Sequence, residues 1–109
     1  MSRAPLLVLC TCPDHATGTR IAEALVSQHH AACVSIIPGV TSVYRWRDAV
    51  ETASECQLLI KTRSDAYAAL ESALRTLHPY ELPEIIAVPV TQGLDAYLDW
   101  IQTCTDGSP

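Results

Sequence analysis

The chain has 109 residues, which is enough for one compact domain and too few for two. Hydrophobic residues make up 49% of it, and the formal net charge is −5. This balance indicates a globular protein and argues against binding a phosphate backbone, because no cluster of lysine and arginine offsets the negative charge. We therefore expect a single domain over residues 1–109 and no nucleic-acid partner.

Cysteine usage and hydropathy bear on the compartment. The chain has five cysteines, an odd number, and their spacings match no zinc-finger or CxxC pattern. No apolar run approaches the length that spans a bilayer, and the run from Leu6 to Cys10 is briefer than a signal-peptide core. We expect a soluble cytoplasmic protein with no disulfide framework and no membrane partner.

The first two elements are a strand and a helix. The apolar segment Leu6 to Cys12 predicts a strand that Pro13 ends. Asp14 is a natural N-cap for a helix from His15 to about His30. The apolar spacing predicts an inner face for this helix made of Ile21, Leu25 and Val26.

A long hairpin follows. Residues Cys33 to Trp46 are rich in β-branched side chains, and after a turn near Asp48 and Ala49 a second extended segment runs from Val50 to Arg63. Side chains alternate along the first arm, so that one face is aromatic and the other basic: Val40, Ser42, Tyr44 and Trp46 against Thr41, Val43, Arg45 and Arg47. An aromatic face on an edge ribbon favours a subunit interface, and we predict a homo-oligomer.

The rest of the chain predicts two helices and a strand. Ser64 is the expected cap of a helix that ends at His78. Its inner stripe is Leu70, Ala73, Leu74 and Leu77. Residues Ile85 to Thr91 predict a fourth strand. Residues Asp95 to about Thr103 have the pattern of a terminal helix that carries Tyr97, Leu98 and Ile101.

The order of these elements indicates the fold. It is β-α-β-β-α-β-α, whose first six elements are those of an α+β ferredoxin-like (βαββαβ) sandwich, with an extra C-terminal helix and a long hairpin between the second and third strands. In that topology the second and fourth strands lie at the sheet edges. Proline belongs on an edge because it lacks a donor, and Pro38 and Pro89 fall in those two strands.

The most informative segment is the loop from His78 to Glu84. It places a histidine and a carboxylate at the two ends of a short segment that Pro79 and Pro83 stiffen. The buried strand predicted after Glu84 sets this carboxylate where core meets solvent. Such a loop is suited to holding a ligand.

Several motifs together resemble the CutA divalent-ion tolerance family, and the resemblance spans nearly the whole chain. The motifs that carry it, in chain order, are Cys10-Thr11-x-Pro13-Asp14, Ala31-Ala32-Cys33-Val34, Ile37-Pro38-Gly39-Val40-Thr41-Ser42-Val43-Tyr44-x-Trp46, Lys61-Thr62, His78-Pro79-Tyr80-x-x-Pro83-Glu84 and Gly93…Tyr97…Trp100. The resemblance implies a ferredoxin-like subunit in a homotrimer, similar in architecture to the PII signalling proteins. It also implies a cytoplasmic role in metal tolerance through binding of copper or another divalent cation.

Carried over by position, the family's proposed copper ligands fall on Cys10, His78 and Glu84. Thiolate, imidazole and carboxylate together suit Cu(II) or Zn(II), so the ligand types do not identify which metal binds. The chain departs from the family pattern at Ser35, where an Asn is usual, and at Arg47-Asp48, where an acidic-glycine turn is usual. We expect these departures to alter the polar lining of the cleft and the hairpin turn.

Alternatives stay open for each candidate. Cys10 could pack in the core, His78 could close a helix, and Glu84 could accept backbone donors. Cys12, two residues beyond Cys10, could share a soft ion with it. The remaining cysteines are assigned to packing: Cys33, Cys56 and Cys104.

Two other functions compete with metal binding. One is a PII-like regulatory or interaction module that takes a small anion, a metabolite or a partner protein at an intersubunit cleft. The other is an enzyme with Cys10 as nucleophile, His78 as base and Glu84 as the orienting group. No oxyanion-hole or nucleophile motif accompanies Cys10, so we expect no enzymatic activity.

Overall fold

The structure is a computed structural model that describes residues 4–106. Its strands and helices follow each other in the predicted order, and the α+β ferredoxin-like fold is confirmed. Their bounds, in chain order, are β1 Pro5–Cys12, α1 His15–Ser27, β2 Cys33–Trp46, β3 Ala49–Arg63, a 3-10 turn Ser64–Ala66, α2 Tyr67–Leu77, β4 Ile86–Pro89 and α3 Asp95–Cys104.

The strands form one antiparallel sheet in the order β2-β3-β1-β4. The predicted edges and centre are therefore confirmed, and Pro38 and Pro89 do lie in the two edge strands. β4 is shorter than the predicted segment that ended at Thr91. The Val90 N–H still donates to the Pro5 carbonyl at 3.1 Å. Pro5 has no N–H with which to donate to Val90 in return, so the ladder ends there.

The β2–β3 hairpin is the longest feature of the molecule. Its arms have 14 and 15 residues and pair from Cys33 opposite Lys61 out to Trp46 opposite Ala49. A bulge interrupts the register between Ile37 and Val40, where Gly39 has φ 75° and takes a backbone conformation that suits glycine. Most of the outer half of β2 is exposed, so this half projects beyond the helices.

One face of the sheet carries the core. The helices α1 and α2 cover this face, and the buried cluster alternates along each strand as a pleated sheet requires. Its largest members come from both layers: Val8, Leu58 and Ile60 from the strands, and Ile21, Leu25, Leu70 and Leu74 from the helices. The predicted inner face of α2 is confirmed, because Ala73 and Leu77 also pack against this cluster.

Two expectations for the helices are wrong. Val26 is 40% exposed, because Gly18, Ile21, Ala22 and Leu25 form the buried face of α1 and Val26 lies one step around the helix from it. The same helix ends at Ser27 and not near His30, since His29 takes φ 64° and turns the chain into β2.

The start of the second helix also differs from its prediction. Ser64 does not cap α2, because residues Ser64–Ala66 form a 3-10 turn before it. The N-cap of α2 is Ala66, with no side-chain hydrogen bond to the helix. By contrast, Asp14 caps α1 as expected, and its carboxylate accepts from the Thr17 N–H at 2.8 Å.

The terminal helix α3 is anchored to β3 by a buried arginine. Arg63 donates from Nε to the Thr105 hydroxyl at 2.8 Å and from Nη2 to the Thr105 carbonyl at 2.7 Å, and it also pairs with Asp65. Near the start of the same helix, burial and the neighbouring Cys33 thiol raise the pKa of Tyr97. Cys33 lies opposite Lys61, and Lys61 is the neighbour of the core residue Ile60, so the side chain of Cys33 points to the face of the sheet away from the core. Because Tyr97 of α3 lies beside Cys33, α3 lies toward this face, which α1 and α2 leave open.

Within residues 4–106, no helix is long and apolar enough to cross a membrane.

We expect Arg63→Met to lower the free energy of unfolding by about 3 kcal/mol, since it leaves the buried Thr105 carbonyl without its charged donor. Urea denaturation followed by circular dichroism measures the change. Arg75→Met removes an exposed arginine and is the matched control, with an expected loss under about 1 kcal/mol. Equal effects of the two changes would show that Arg63 does not anchor α3.

Candidate metal centre

The loop between α2 and β4 begins where the sequence predicts. Pro79 disfavours helical geometry at the residue before it, and His78 is the C-cap of α2 with φ −79° and ψ 136°. The His78 N–H still bonds to the Leu74 carbonyl at 2.9 Å. The side chain of His78 then turns inward and is buried against β1.

Both ring nitrogens of His78 are engaged. Nε2 lies 2.7 Å from the Thr11 carbonyl, and Nδ1 lies 3.1 Å from the Tyr80 backbone nitrogen. A carbonyl can only accept and a backbone N–H can only donate, so the imidazole is the neutral tautomer with its proton on Nε2. The Tyr80 ring packs on it, with ring centroids 4.7 Å apart. His78 therefore docks the loop on β1, and a metal ion would have to displace one of these hydrogen bonds.

Cys10 is fully buried on the helix-covered face of β1. Its thiol donates weakly to the Thr11 carbonyl, with a sulfur-to-oxygen distance of 3.6 Å. Burial raises the pKa of this thiol to about 12, and negative charge on Cys12, Glu84 and Glu55 acts in the same direction. The group is thus a protonated core thiol and lacks the thiolate character that a nucleophile needs.

Glu84 is exposed and sits at the other side of the sheet. Its Oε2 lies 3.5 Å from Gln57 Nε2, and the same nitrogen donates to the Cys10 carbonyl at 3.2 Å. Ile85, the next residue, packs against the core cluster, so Glu84 points to the opposite face in an extended chain. Gln57 is therefore the link between Glu84 and the backbone of β1.

The three predicted ligands thus gather around the end of β1 without converging. His78 contacts the Thr11 carbonyl, and Glu84 is linked to the Cys10 carbonyl through Gln57. The Cys10 sulfur points to the opposite face of the sheet. Among residues 4–106, no group of three or more His, Cys, Asp and Glu side chains is positioned to hold a metal ion. The ligand set Cys10, His78 and Glu84 stays a prediction.

A second polar contact beside this loop was not predicted from the sequence. The Tyr80 hydroxyl donates to Oε2 of the buried Glu55 at 2.6 Å. Burial, followed by this hydrogen bond and the charge of Glu55, raises the pKa of Tyr80. The two residues are 25 positions apart and only the tertiary fold brings them together, so no local pattern could have identified the pair.

Comparison with known proteins agrees with this architecture. A family model described as CutA1 divalent ion tolerance protein matches residues 6–104. The chain is 44% identical over 99 residues to the divalent-cation tolerance protein CutA of Thermus thermophilus, covering 91% of this chain and 96% of that one. A crystal structure of CutA from Xylella fastidiosa superposes with a TM-score of 0.92 at 47% identity, covering 94% of this chain and 99% of that chain.

Relatives differ in length and in named compartment. The human protein CutA is 44% identical over 96 residues, which cover 88% of this chain and 54% of the human one, so the chain spans about half of that relative. One relative from Arabidopsis thaliana is named chloroplastic, and one from Archaeoglobus fulgidus is named periplasmic.

The family model covers almost all of the chain, and the relatives match it from the first strand to the last helix. The comparisons of sequence and of structure both confirm the family resemblance. The chain belongs to the CutA1 divalent ion tolerance protein family.

Proposed function

We propose that this chain is a single domain over residues 1–109 that binds divalent cations, copper among them, as a cytoplasmic homotrimer. The proposal of metal binding is supported by the location of His78, Glu84 and Cys10 around one end of β1. The names of the relatives, which refer to divalent-cation tolerance, support the same reading. Cysteine usage supports a reducing cytoplasm.

The apolar surface that this subunit leaves exposed supports assembly into an oligomer. On the open face of the sheet, Ile86 is 54% exposed and Val88 43% exposed. The α3 residue Trp100 and the hairpin residues Tyr44 and Trp46 are also large and exposed. Aromatic and aliphatic groups of this kind are enriched at the cores of subunit interfaces. The two edge strands, β2 and β4, offer backbone groups to a second copy as well.

A cation at the loop requires a modest local rearrangement. Glu84 is exposed and its one hydrogen bond to Gln57 is long, so it can turn toward an ion at little cost. His78 must release either the Thr11 carbonyl or the Tyr80 N–H to offer a nitrogen. A divalent ion that recruits both would tighten the 78–84 loop against β1.

A PII-like regulatory or interaction module is the second candidate, and the hydrogen bonding of His78 favours it. With both imidazole nitrogens engaged, His78 has a complete structural role without a metal. Beside the loop lies a polar groove of about 440 Å³, lined by α2 and by Tyr80 and Glu81, which offers space for a small ligand. In this reading the loop presents a surface to a metabolite or partner protein.

We expect Val88→Glu to break the proposed trimer, because it places a charge on an exposed apolar face that assembly would bury. Size-exclusion chromatography with light scattering should show the mass fall from about three chains to about one, since the family resemblance implies a homotrimer and exposed apolar residues suit a subunit interface. Val26→Glu is the matched control, since Val26 is 40% exposed on the outer surface of α1, and its mass should not change. A wild-type chain that runs as a monomer would refute the proposal.

We expect Glu84→Gln to weaken Cu(II) and Zn(II) binding at least about tenfold, because it removes the anionic ligand and keeps the size of the side chain. Isothermal calorimetry on the purified oligomer measures the change, and His78→Ala should act in the same direction. Glu81→Gln, an exposed carboxylate of the same loop, is the matched control. Binding that is weak and indifferent to Glu84 and His78 would favour the regulatory module.

The same titration tests Cys10 through its pH dependence. Burial raises the pKa of the Cys10 thiol to about 12, so it is protonated in the working range and must lose a proton to ligate. The affinity should then rise about tenfold per pH unit between about pH 6 and pH 8 in wild type, and less steeply in Cys10→Ser. Equal slopes would remove Cys10 from the ligand set.

A further inference from the structure

Two buried cysteines lie side by side on neighbouring strands of the sheet. Cys12 of β1 is the direct partner of Cys56 of β3 in the antiparallel register. Both are free thiols, both are buried, and both belong to the core cluster on the helix-covered face. Cys10 lies on the same face but opposite Leu58, so it has no sulfur across from it. The pair therefore differs from the other cysteines of the described chain in having a thiol directly opposite.

The ladder sets the distance between the two side chains. The Ser64 N–H donates to the Ala4 carbonyl at 2.8 Å, and the β1–β3 register continues without a bulge to Cys12. Hydrogen-bonded pairs alternate along an antiparallel ladder, so Cys12 and Cys56 form a hydrogen-bonded pair with Cα atoms about 5.5 Å apart. A disulfide needs Cβ atoms about 3.8 Å apart, which is closer than such a pair brings them.

A bridging ion fits this separation better than a direct sulfur bond. Metal–thiolate bonds of about 2.3 Å place two sulfurs about 4 Å apart or more when an ion lies between them. Sulfur ligands in low number select soft ions, Cu(I) foremost among the copper and zinc states. The strands can therefore keep their spacing while the two sulfurs share one ion.

The first turn of α1 lies directly over Cys12. A Cβ built on Gly18 would come within 3.0 Å of the Cys12 sulfur, so the glycine lets the helix backbone approach this atom. Gly18 is the fourth residue of α1, and the N-terminal end of a helix carries partial positive charge that favours a thiolate. Burial, the neighbouring Cys56 and the Asp14 carboxylate outweigh this field and raise the pKa of the Cys12 thiol to about 11, so the ion must displace the proton of the thiol.

We propose that Cys12 and Cys56 form a two-coordinate site for Cu(I), separate from the predicted divalent-cation ligands Cys10, His78 and Glu84. On binding, each thiol loses its proton to solvent and each sulfur forms one bond to copper. The copper enters and remains as Cu(I), so the step needs no oxidant or reductant. The site goes beyond the proposed divalent-cation function, because it takes a monovalent ion through other residues.

The test is anaerobic titration with Cu(I) in competition with the chelator bathocuproine disulfonate, whose copper complex is coloured. Wild type should bind one Cu(I) per subunit. Cys12→Ser and Cys56→Val should each weaken that binding at least about 100-fold, because a single thiol cannot complete the site. Cys33→Ser should bind Cu(I) as wild type does, since Cys33 lies on the opposite face of the sheet.

Cys56→Val keeps the core apolar, and its circular dichroism and melting temperature report whether it folds. X-ray absorption of Cu(I)-loaded wild type gives a readout that needs no variant, with two sulfur ligands and no nitrogen or oxygen expected. Retention of wild-type Cu(I) affinity in Cys56→Val, or its loss in Cys10→Ser alone, would overturn the proposal. Unchanged Zn(II) binding by Cys56→Val keeps this test independent of the divalent site.

Discussion

One buried imidazole connects the candidate site to the sheet. His78 donates to the Thr11 carbonyl and accepts from the Tyr80 N–H, and in doing so it ties the end of α2, the loop and the end of β1 together. Tyr80 is placed by this contact, and its hydroxyl then satisfies the buried carboxylate of Glu55. His78 thus holds the start of the loop against β1, while Gln57 links Glu84 to the same strand.

The pleat of β1 and β3 decides which groups can act together. Along both strands, one set of side chains enters the core under α1 and α2, and the alternate set faces the open side of the sheet. Cys12 and Cys56 fall in the first set and Gln57 in the second. The sheet therefore separates two sets of polar groups. Buried thiols lie on one face, and a carboxylate with an amide lies on the other.

The fold could be predicted because its signals are local. Apolar alternation, the Asp14 cap and the edge prolines each act within a few residues, and together they define the order of strands and helices. The errors arose where tertiary geometry overrides a local preference. Ser64 suits an N-cap, yet the chain takes a 3-10 turn there while Arg63 is drawn into its bonds with Thr105.

The candidate site was only partly predictable for the same reason. The prolines located His78 and Glu84 on one loop, and the structure brings both to the end of β1. Sequence spacing could not reveal that Thr11 and Tyr80 occupy both imidazole nitrogens, or that Glu84 and the Cys10 sulfur lie on opposite faces. Those facts depend on contacts between residues far apart in the chain.

The most direct test of this account is the protonation of His78, read from the imidazole nitrogen shifts of ¹⁵N-histidine-labelled protein at neutral pH. We expect a single neutral ring with the proton on Nε2 and an acceptor at Nδ1, in slow exchange with solvent. A ring protonated on Nδ1, or one that averages between both tautomers, would contradict it, because His78 would then not dock the loop on β1.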